Sequence, residues 1–295
     1  MSVIEAVKWA EARLKLEGLE DPRLDADLLV AQVLRGTREQ VYLARDRGLS
    51  AGQEEELLAL LQRRLRREPL QYILQRQEFM GLEFYVDPRV LIPRPDSERL
   101  VEKLLEVGAG LSLGEIQRRM PPKERHRTAL KKKWRVLDVG TGSGALAIAI
   151  AYYWPEAEVV GTDISTAALA VAARNAEALG VEVAWRQGDL LAPARQEHWD
   201  WIVCNPPYVT VSEYQACAPE IFFEPEQAFL GGEDGLDFYR RLAEETKPWR
   251  EQGCGLLLEI GCHQAAAVRR LWADKSETAS IFQDLAGRDR VIMVR

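Results

Sequence analysis

Four consecutive residues, Asn205-Pro206-Pro207-Tyr208, offer a set of groups suited to handling a planar nitrogen. An amide or ring amine delocalises its lone pair, and in an amide the C–N bond has partial double-bond character. Such a nitrogen is a poor nucleophile, and outright deprotonation near neutral pH is not plausible. Two hydrogen-bond acceptors can instead hold the NH2 group so that its lone pair points at an electrophile. The side-chain oxygen of Asn205 supplies one acceptor and the backbone carbonyl of Pro206 the other. The prolines restrict the backbone, so the carbonyl direction is set in advance. Tyr208 offers an aromatic face to the planar group. A neutral Asn205 suits positioning better than general-base catalysis. Well-placed reactants save roughly 7–11 kcal/mol of a barrier. Taken as a bare tetrapeptide, the same residues also read as a proline-rich turn after a strand.

The electrophile needs a site of its own. Gly140-Thr141-Gly142-Ser143-Gly144 follows the apolar run Val136–Val139 and precedes a helical stretch from Ala145. Glycines permit unusual backbone angles and close approach of a ligand, and the loop's amides sit beside a helix N-terminus. Gly140-x-Gly142-x-x-Ala145 also satisfies the loose dinucleotide fingerprint, and a glycine-rich turn without a ligand is the bland alternative. Asp163 follows Val159-Val160-Gly161-Thr162, at the end of the next strand. A carboxylate there can accept both hydroxyls of a ribose, or simply cap the helix after Ile164. Asp189, in Gly188-Asp189-Leu190, can accept the exocyclic amine of adenine with Leu190 against the ring, or serve as a turn aspartate. Nicotinamide dinucleotides and S-adenosylmethionine both fit these devices. The tetrapeptide separates them, because hydride transfer has no use for it. A methyl group moving in line from a sulfonium sulfur to nitrogen does, and a water-poor site favours that step. S-adenosylmethionine is therefore the expected cofactor, and no metal is expected.

The elements that position these residues read as α/β from Trp134 onward. Strand candidates are Arg135–Val139, Glu158–Thr162, Val181–Gln187, Trp199–Asn205, Gly255–Ile260 and Val291–Arg295, with helices such as Ala145–Tyr153 and Ala167–Leu179 between them. That alternation predicts a largely parallel sheet with helices on both faces. Ligands then bind outside the carboxyl ends of the strands, where the glycine loop, Asp163 and Asn205 fall. The first seventy or so residues read as helices, with apolar sets such as Val3, Ile4, Val7, Leu14 and Leu57, Leu58, Leu61, Leu65. Thr37 with Gln40 and Ser50 with Gln53 match capping boxes, and Asp21-Pro22 reads as an N-cap before a helix. Phe79, Leu82, Phe84 and Val86 suggest a hairpin around Met80-Gly81. Val90–Pro95 reads as a strand stopped by prolines, followed by a helix around Asp96 to Val107.

Composition bounds the rest. The net charge of −7 over 295 residues argues against a nucleic-acid substrate, since such proteins usually carry a basic footprint. Residues 108–135 are a local exception, rich in Lys and Arg; they read as a solvated linker or as a contact for an anionic surface. Cys204, Cys217, Cys254 and Cys262 show no Cys-x-x-Cys spacing. No apolar run approaches a membrane span, and the N-terminus has no signal-peptide core, so a cytoplasmic location is expected.

The chain resembles the class I amino-methyltransferases, and within them the PrmC/HemK family. Beyond the tetrapeptide, the residues that carry the likeness include Glu68–Ile73, Glu78–Phe84, Val90-Leu91-Ile92-Pro93-Arg94-Pro95, Glu224-Pro225, Leu230-Gly231-Gly232, Asp234-Gly235-Leu236, Leu258–Gly261 and Asp284–Arg290. The resemblance implies an α/β, Rossmann-like fold with a seven-stranded, mostly parallel sheet. It implies a helical substrate-recognition domain over 1–71, a β-hairpin connector over 72–97 and a methyltransferase domain over 98–295. It implies methylation of the side-chain amide of the glutamine in the Gly-Gly-Gln motif of peptide-chain release factors. Gly140–Gly144, Asp163, Asp189, Leu190 and Asn205 would contact S-adenosylmethionine. Asn205–Tyr208 would hold the glutamine, with Arg94 and Pro95 near the entrance. Two departures are Pro95-Asp96-Ser97-Glu98, where the family usually has Pro-Glu-Thr-Glu, and a longer basic stretch before Trp134. The rival readings are a DNA or RNA adenine amino-methyltransferase, which shares the tetrapeptide, and a non-catalytic adaptor.

Overall fold

The computed structural model describes residues 1–118, 133–272 and 278–295. Two compact units divide them. One holds Met1–Arg76 together with Ala218–Phe223, and the other holds Gln77–Cys217 and Glu224–Arg295.

The first unit consists of the helices Val3–Leu16, Pro22–Leu34, Arg38–Leu43, Ala51–Leu65 and Leu70–Leu74. Thr37 and Ser50 close the expected capping boxes with Gln40 and Gln53, and Ser2 closes another with Glu5. Asp21 does stand at the N-cap before Pro22, but its side chain makes no cap bond. Its ψ of 60° lies outside the extended region that aims a capping side chain at the first turn. Val3, Val7, Leu14, Leu57 and Leu61 are fully buried, whereas Leu58 faces solvent. Successive helical residues point about 100° apart, and the face that buries Leu57 and Leu61 turns Leu58 outward. Arg64 turns inward to Asp25 at 2.7 Å and to Glu220 at 3.0 Å. Glu220 also pairs with Arg67 at 3.4 Å, which holds Ala218–Phe223 to this unit.

The second unit opens with a hairpin, β1 (Gln77–Phe79) paired antiparallel with β2 (Leu82–Phe84). Met80 (φ 53°) and Gly81 (φ 69°) both take left-handed angles, as a two-residue hairpin turn requires. The fully buried Met80 side chain joins the core, its amide donates to Glu98 at 2.7 Å and its carbonyl accepts from Tyr153 at 2.6 Å. The main sheet comprises β3 (Trp134–Val139), β4 (Ala157–Asp163), β5 (Ala184–Gln187), β6 (Trp201–Cys204), β7 (Gly255–Glu259), β8 (Ala279–Gln283) and β9 (Asp289–Val294). Their spatial order is β5-β4-β3-β6-β7-β9-β8. β3 through β7 pair in parallel, while β9 runs antiparallel to both β7 and β8. One face packs on the helices Glu98–Gly108 and Ala145–Tyr153, the other on Trp199, Trp249 and the helix Asp237–Glu245. This is the α/β class I methyltransferase architecture.

All six sequence candidates are strands, with some ends extended and others trimmed by a few residues. β8 has no counterpart among them. It lies at the sheet edge, half-buried along most of its length, so it lacks both the continuous apolar run of an inner strand and a clear alternation. Val90–Pro95 corrects the sequence reading, because it pairs with no strand among the described residues and is irregular up to a 3-10 turn at Pro95–Ser97. Pro93 and Pro95 have no N–H to give a ladder, and the Ile92 amide is taken by the Glu224 carboxylate at 2.8 Å. Of the basic stretch, residues 119–132 lie outside the described residues.

Candidate active site

Chain order and spatial order part company between β3 and β6. The chain runs outward from β3 to β4 and β5, then returns to start β6 on the other side. Two loops therefore diverge at adjacent carboxyl ends, which opens a crevice. Val139 is paired with Thr162 on one side and Cys204 on the other, and Cys204 is paired with Leu258. Gly140, Asp163, Asn205 and Glu259 thus follow at one level across four strands. A cavity of about 460 Å³ opens there.

The loop after β3 is held from beneath. Asp138 is fully buried, and its Oδ2 accepts from the Thr141 hydroxyl at 2.6 Å and the Ala147 amide at 3.2 Å. Its Oδ1 has no hydrogen-bond partner among the described residues. Burial pushes this carboxyl up to about 7, against the pull of those two donors. Gly140 (φ 71°) and Gly142 (φ 55°) take left-handed angles, and a Cβ on either would meet open space. Their role is conformation and access. Gly144 differs, because a Cβ there would press Ile148 at 2.9 Å and Ala172 at 3.0 Å. It is a packing glycine and does not line the cavity. Asn175 adds a strut, donating to the Ser143 carbonyl at 2.9 Å while its oxygen accepts from the Tyr85 amide at 2.8 Å.

Asp163 serves the loop as well as the cavity. Its Oδ2 accepts from the Gly142 amide and its Oδ1 from the Ser165 amide, each at 2.9 Å. Each carboxylate oxygen retains a further lone pair. The cap of the following helix is Ser165, bonded to the Ala168 amide at 3.1 Å. Asp189 lines the cavity but is engaged by Arg241 at 2.7 Å. Leu190 (φ 46°) lines it too, as does Ile164, whose side chain is largely exposed.

Asn205, Pro206 and Pro207 line the opposite wall beside Ser97. The Asn205 amide nitrogen donates to the Ser97 hydroxyl at 3.1 Å. Ser97 in turn donates to Glu259 Oε2 at 2.5 Å, and the Tyr208 hydroxyl donates to Oε1 at 3.2 Å. Glu259 is wholly buried. Burial pushes its carboxyl above the usual range, while Ser97, Arg290 and Tyr208 pull it back. Tyr208 is drawn inward by this bond and does not line the cavity. Cys204 lines the cavity, and burial pushes its thiol far up, so it is a neutral wall.

A second loop sets the backbone of the tetrapeptide. Val209 bridges to Leu230 in parallel, its amide donating to Phe229 at 2.8 Å and its carbonyl accepting from Gly231 at 2.9 Å. A Cβ on Gly231 would stand 2.7 Å from both the Pro207 carbonyl oxygen and Tyr208 Cα, and one on Gly235 would stand 2.4 Å from the Tyr208 carbonyl oxygen. Only glycine admits so close a crossing. The connector is latched to the same loop, since Glu224 accepts from Arg94 at 2.5 Å and from the Ile92 amide. Arg94 lines the cavity, whereas Pro95 is exposed outside it.

Of the sequence-derived residues, Gly140, Thr141, Gly142, Ser143, Asp163, Asp189, Leu190, Arg94, Asn205, Pro206 and Pro207 come together around one cavity. Gly144, Pro95 and Tyr208 do not. Asp138, Ser97 and Glu259 were not among the expected site residues. Two of them carried a signal, an acid inside or ending an otherwise apolar strand (Val136-Leu137-Asp138-Val139 and Leu256-Leu257-Leu258-Glu259). Ser97 carried none.

A family model described as the PrmC N-terminal domain matches residues 5–74, and one described as a methyltransferase small domain matches residues 126–234. The chain is similar to curated proteins named release factor glutamine methyltransferase. That of Geobacter sulfurreducens is 37% identical, with 99% of this chain and 95% of that one aligned. That of Moorella thermoacetica is 38% identical over 99% and 98% of the two chains. That of Koribacter versatilis is 36% identical over 100% and 99%. A solved structure, the hMettl16 catalytic domain in complex with MAT2A 3'UTR hairpin 6, has a TM-score of 0.50 at 15% identity, over 76% of this chain and 78% of that one. That likeness is one of fold alone.

G231A should push the Pro207-Tyr208 backbone aside, and overpacking of this kind costs about 1–3 kcal/mol. A lowered urea midpoint is the expected readout, and an unchanged one would mean that the crossing yields freely. Asp138 gives a pH signature. Its folded pKa lies above the reference of 3.8, so the stability tied to it is fully present below about pH 4 and is lost as pH rises through about 7. Relative to D138N, the wild type should therefore lose on the order of a few kcal/mol across that window. Urea midpoints of the two proteins that run parallel from pH 4 to 8 would contradict the assignment.

Proposed function

Because the chain belongs to the release factor glutamine methyltransferase family, we propose that it methylates the side-chain amide nitrogen of the Gly-Gly-Gln glutamine of peptide-chain release factors, using S-adenosylmethionine. One observation carries the chemical half of this reading. A glycine loop with open faces and Asn205-Pro206-Pro207 line opposite walls of one cavity, at the point where the strand order reverses.

The residues present fit the cofactor. Gly140 and Gly142 leave room where side chains would stand, so the backbone can approach a ligand closely. Asp163 keeps lone pairs for ribose hydroxyls, and Ile164 with Leu190 supplies apolar walls for a purine. Asp189 can still accept an exocyclic amine, though it shares its charge with Arg241. When bound, S-adenosylmethionine supplies an electrophilic methyl group on a sulfonium sulfur.

The chain's own work is orientation. Asn205 commits its amide nitrogen to Ser97, which leaves its oxygen to accept one N–H of the glutamine. The Pro206 carbonyl takes the other, its direction restrained by Pro206 and Pro207 and by the crossing at Gly231. No group in this arrangement needs to remove a proton before transfer. The largely apolar cavity and the neutral Cys204 thiol keep water scarce around the reacting atoms. We assign release-factor recognition to the helical unit, where the PrmC N-terminal domain model matches. We place the reaction in the cytoplasm, a reducing compartment that suits four free cysteines. Among the described residues, no helix is long and apolar enough to cross a membrane.

Mass spectrometry of a release factor after incubation with enzyme and S-adenosylmethionine should find one added methyl group on the Gly-Gly-Gln glutamine. Label entering only nucleic acid would overturn the reading. N205A should bind S-adenosylmethionine within a few-fold of wild type while kcat falls roughly 100-fold, the scale of a lost transition-state contact. Turnover near the wild-type value would refute the positioning role.

A further inference from the structure

We propose that Ser97 and Glu259 fix which way round the Asn205 side-chain amide stands, so that its oxygen and not its nitrogen meets the substrate. This rests on the reading of the site as a glutamine-amide methyltransferase. An asparagine amide presents an acceptor at one end and two donors at the other, and the two ends have nearly the same shape. The glutamine NH2 group brings only donors. A reversed Asn205 would set N–H against N–H and would offer no acceptor.

The observed chain of bonds removes that choice. At 2.5 Å the Ser97 hydroxyl spends its single proton on Glu259 Oε2. The same hydroxyl stands 3.1 Å from Asn205 and can now only accept. It therefore selects the amide's NH2 end. Glu259 is placed to impose this because Cys204 and Leu258 are paired, which sets Asn205 and Glu259 side by side at the ends of β6 and β7. Its other oxygen takes the Tyr208 hydroxyl at 3.2 Å, and its backbone carbonyl takes the Tyr239 hydroxyl at 2.8 Å. One buried side chain thus anchors both ends of the tetrapeptide. Arg290 lies nearby, buried and paired with Asp96 at 3.0 Å and Asp284 at 3.4 Å, and its charge favours the ionised carboxylate. Glu259 touches no substrate here. It is a positioning residue acting through Ser97.

The test is steady-state methylation of a release factor by wild type, S97A, S97T and E259Q, with S-adenosylmethionine affinity measured by calorimetry and folding by thermal melts. S97A removes the hydroxyl and should lower kcat about tenfold, the worth of one hydrogen bond. Cofactor affinity and the KM for release factor should stay close to wild type, while the melting temperature should fall because the buried Glu259 Oε2 loses its donor. S97T keeps the hydroxyl and should recover most of the lost turnover. E259Q swaps one acceptor for a donor, so it must disturb Ser97 or Tyr208, and its kcat should also fall. S97A with kcat within twofold of wild type would overturn the proposal, as would S97T no better than S97A. Should E259Q fail to fold, the Ser97 pair decides alone. Failure of the wild type to label any release factor would instead overturn the functional reading, and this inference with it.

Discussion

A single buried carboxylate, Glu259, ties together the parts of this molecule that must agree. It ends β7, accepts the hydroxyl protons of Ser97 and Tyr208, and is wholly screened from water. Leaving such a group buried without partners costs several kcal/mol, so its donors are held to it. Ser97 belongs to the turn that starts the helix Glu98–Gly108, and Tyr208 closes the tetrapeptide after β6. Satisfying one buried carboxyl therefore fixes the connector, the tetrapeptide and the sheet end relative to one another within the second unit. Asn205 inherits its orientation from that arrangement.

Sheet topology supplies the stage for this contact. Strand order reverses beside β3, so the glycine loop and the tetrapeptide rise from neighbouring strands yet bend apart. Asp138 and Glu259 play parallel parts on the two sides. Each is an acid buried beneath its loop, and each holds that loop through donors to its carboxyl, Asp138 through Oδ2 alone. The glycines divide the remaining labour. Gly140 and Gly142 give open space to a ligand, while Gly144, Gly231 and Gly235 let backbone and side chains cross too closely for a Cβ.

Much of this is legible in the amino-acid sequence. The central parallel strands β6 and β7 announce themselves because both faces are buried and the runs are nearly continuously apolar. The cavity walls announce themselves because Asn205-Pro206-Pro207 and Gly140-x-Gly142 have no easy structural use in that order. Contacts that depend on three-dimensional register are not legible. Nothing in Asp96-Ser97-Glu98 marks the serine as a partner of residues 108 and 162 positions away. Tyr208 reads as an aromatic face because its ring is the conspicuous part, yet its hydroxyl decides where it goes. Val90–Pro95 reads as a strand from its β-branched residues, but its amide at Ile92 is claimed by Glu224, which is remote in the chain. The edge strand β8 fails to show because half-burial leaves little periodic signal.

If Ser97 acts only by orienting Asn205, the two residues form one functional unit. A double-mutant cycle on kcat for release-factor methylation measures this directly. The account predicts that S97A lowers kcat about tenfold in the wild-type background and leaves it nearly unchanged once Asn205→Ala is present. Equal fold-losses in the two backgrounds would show that Ser97 works independently of Asn205 and would contradict the account.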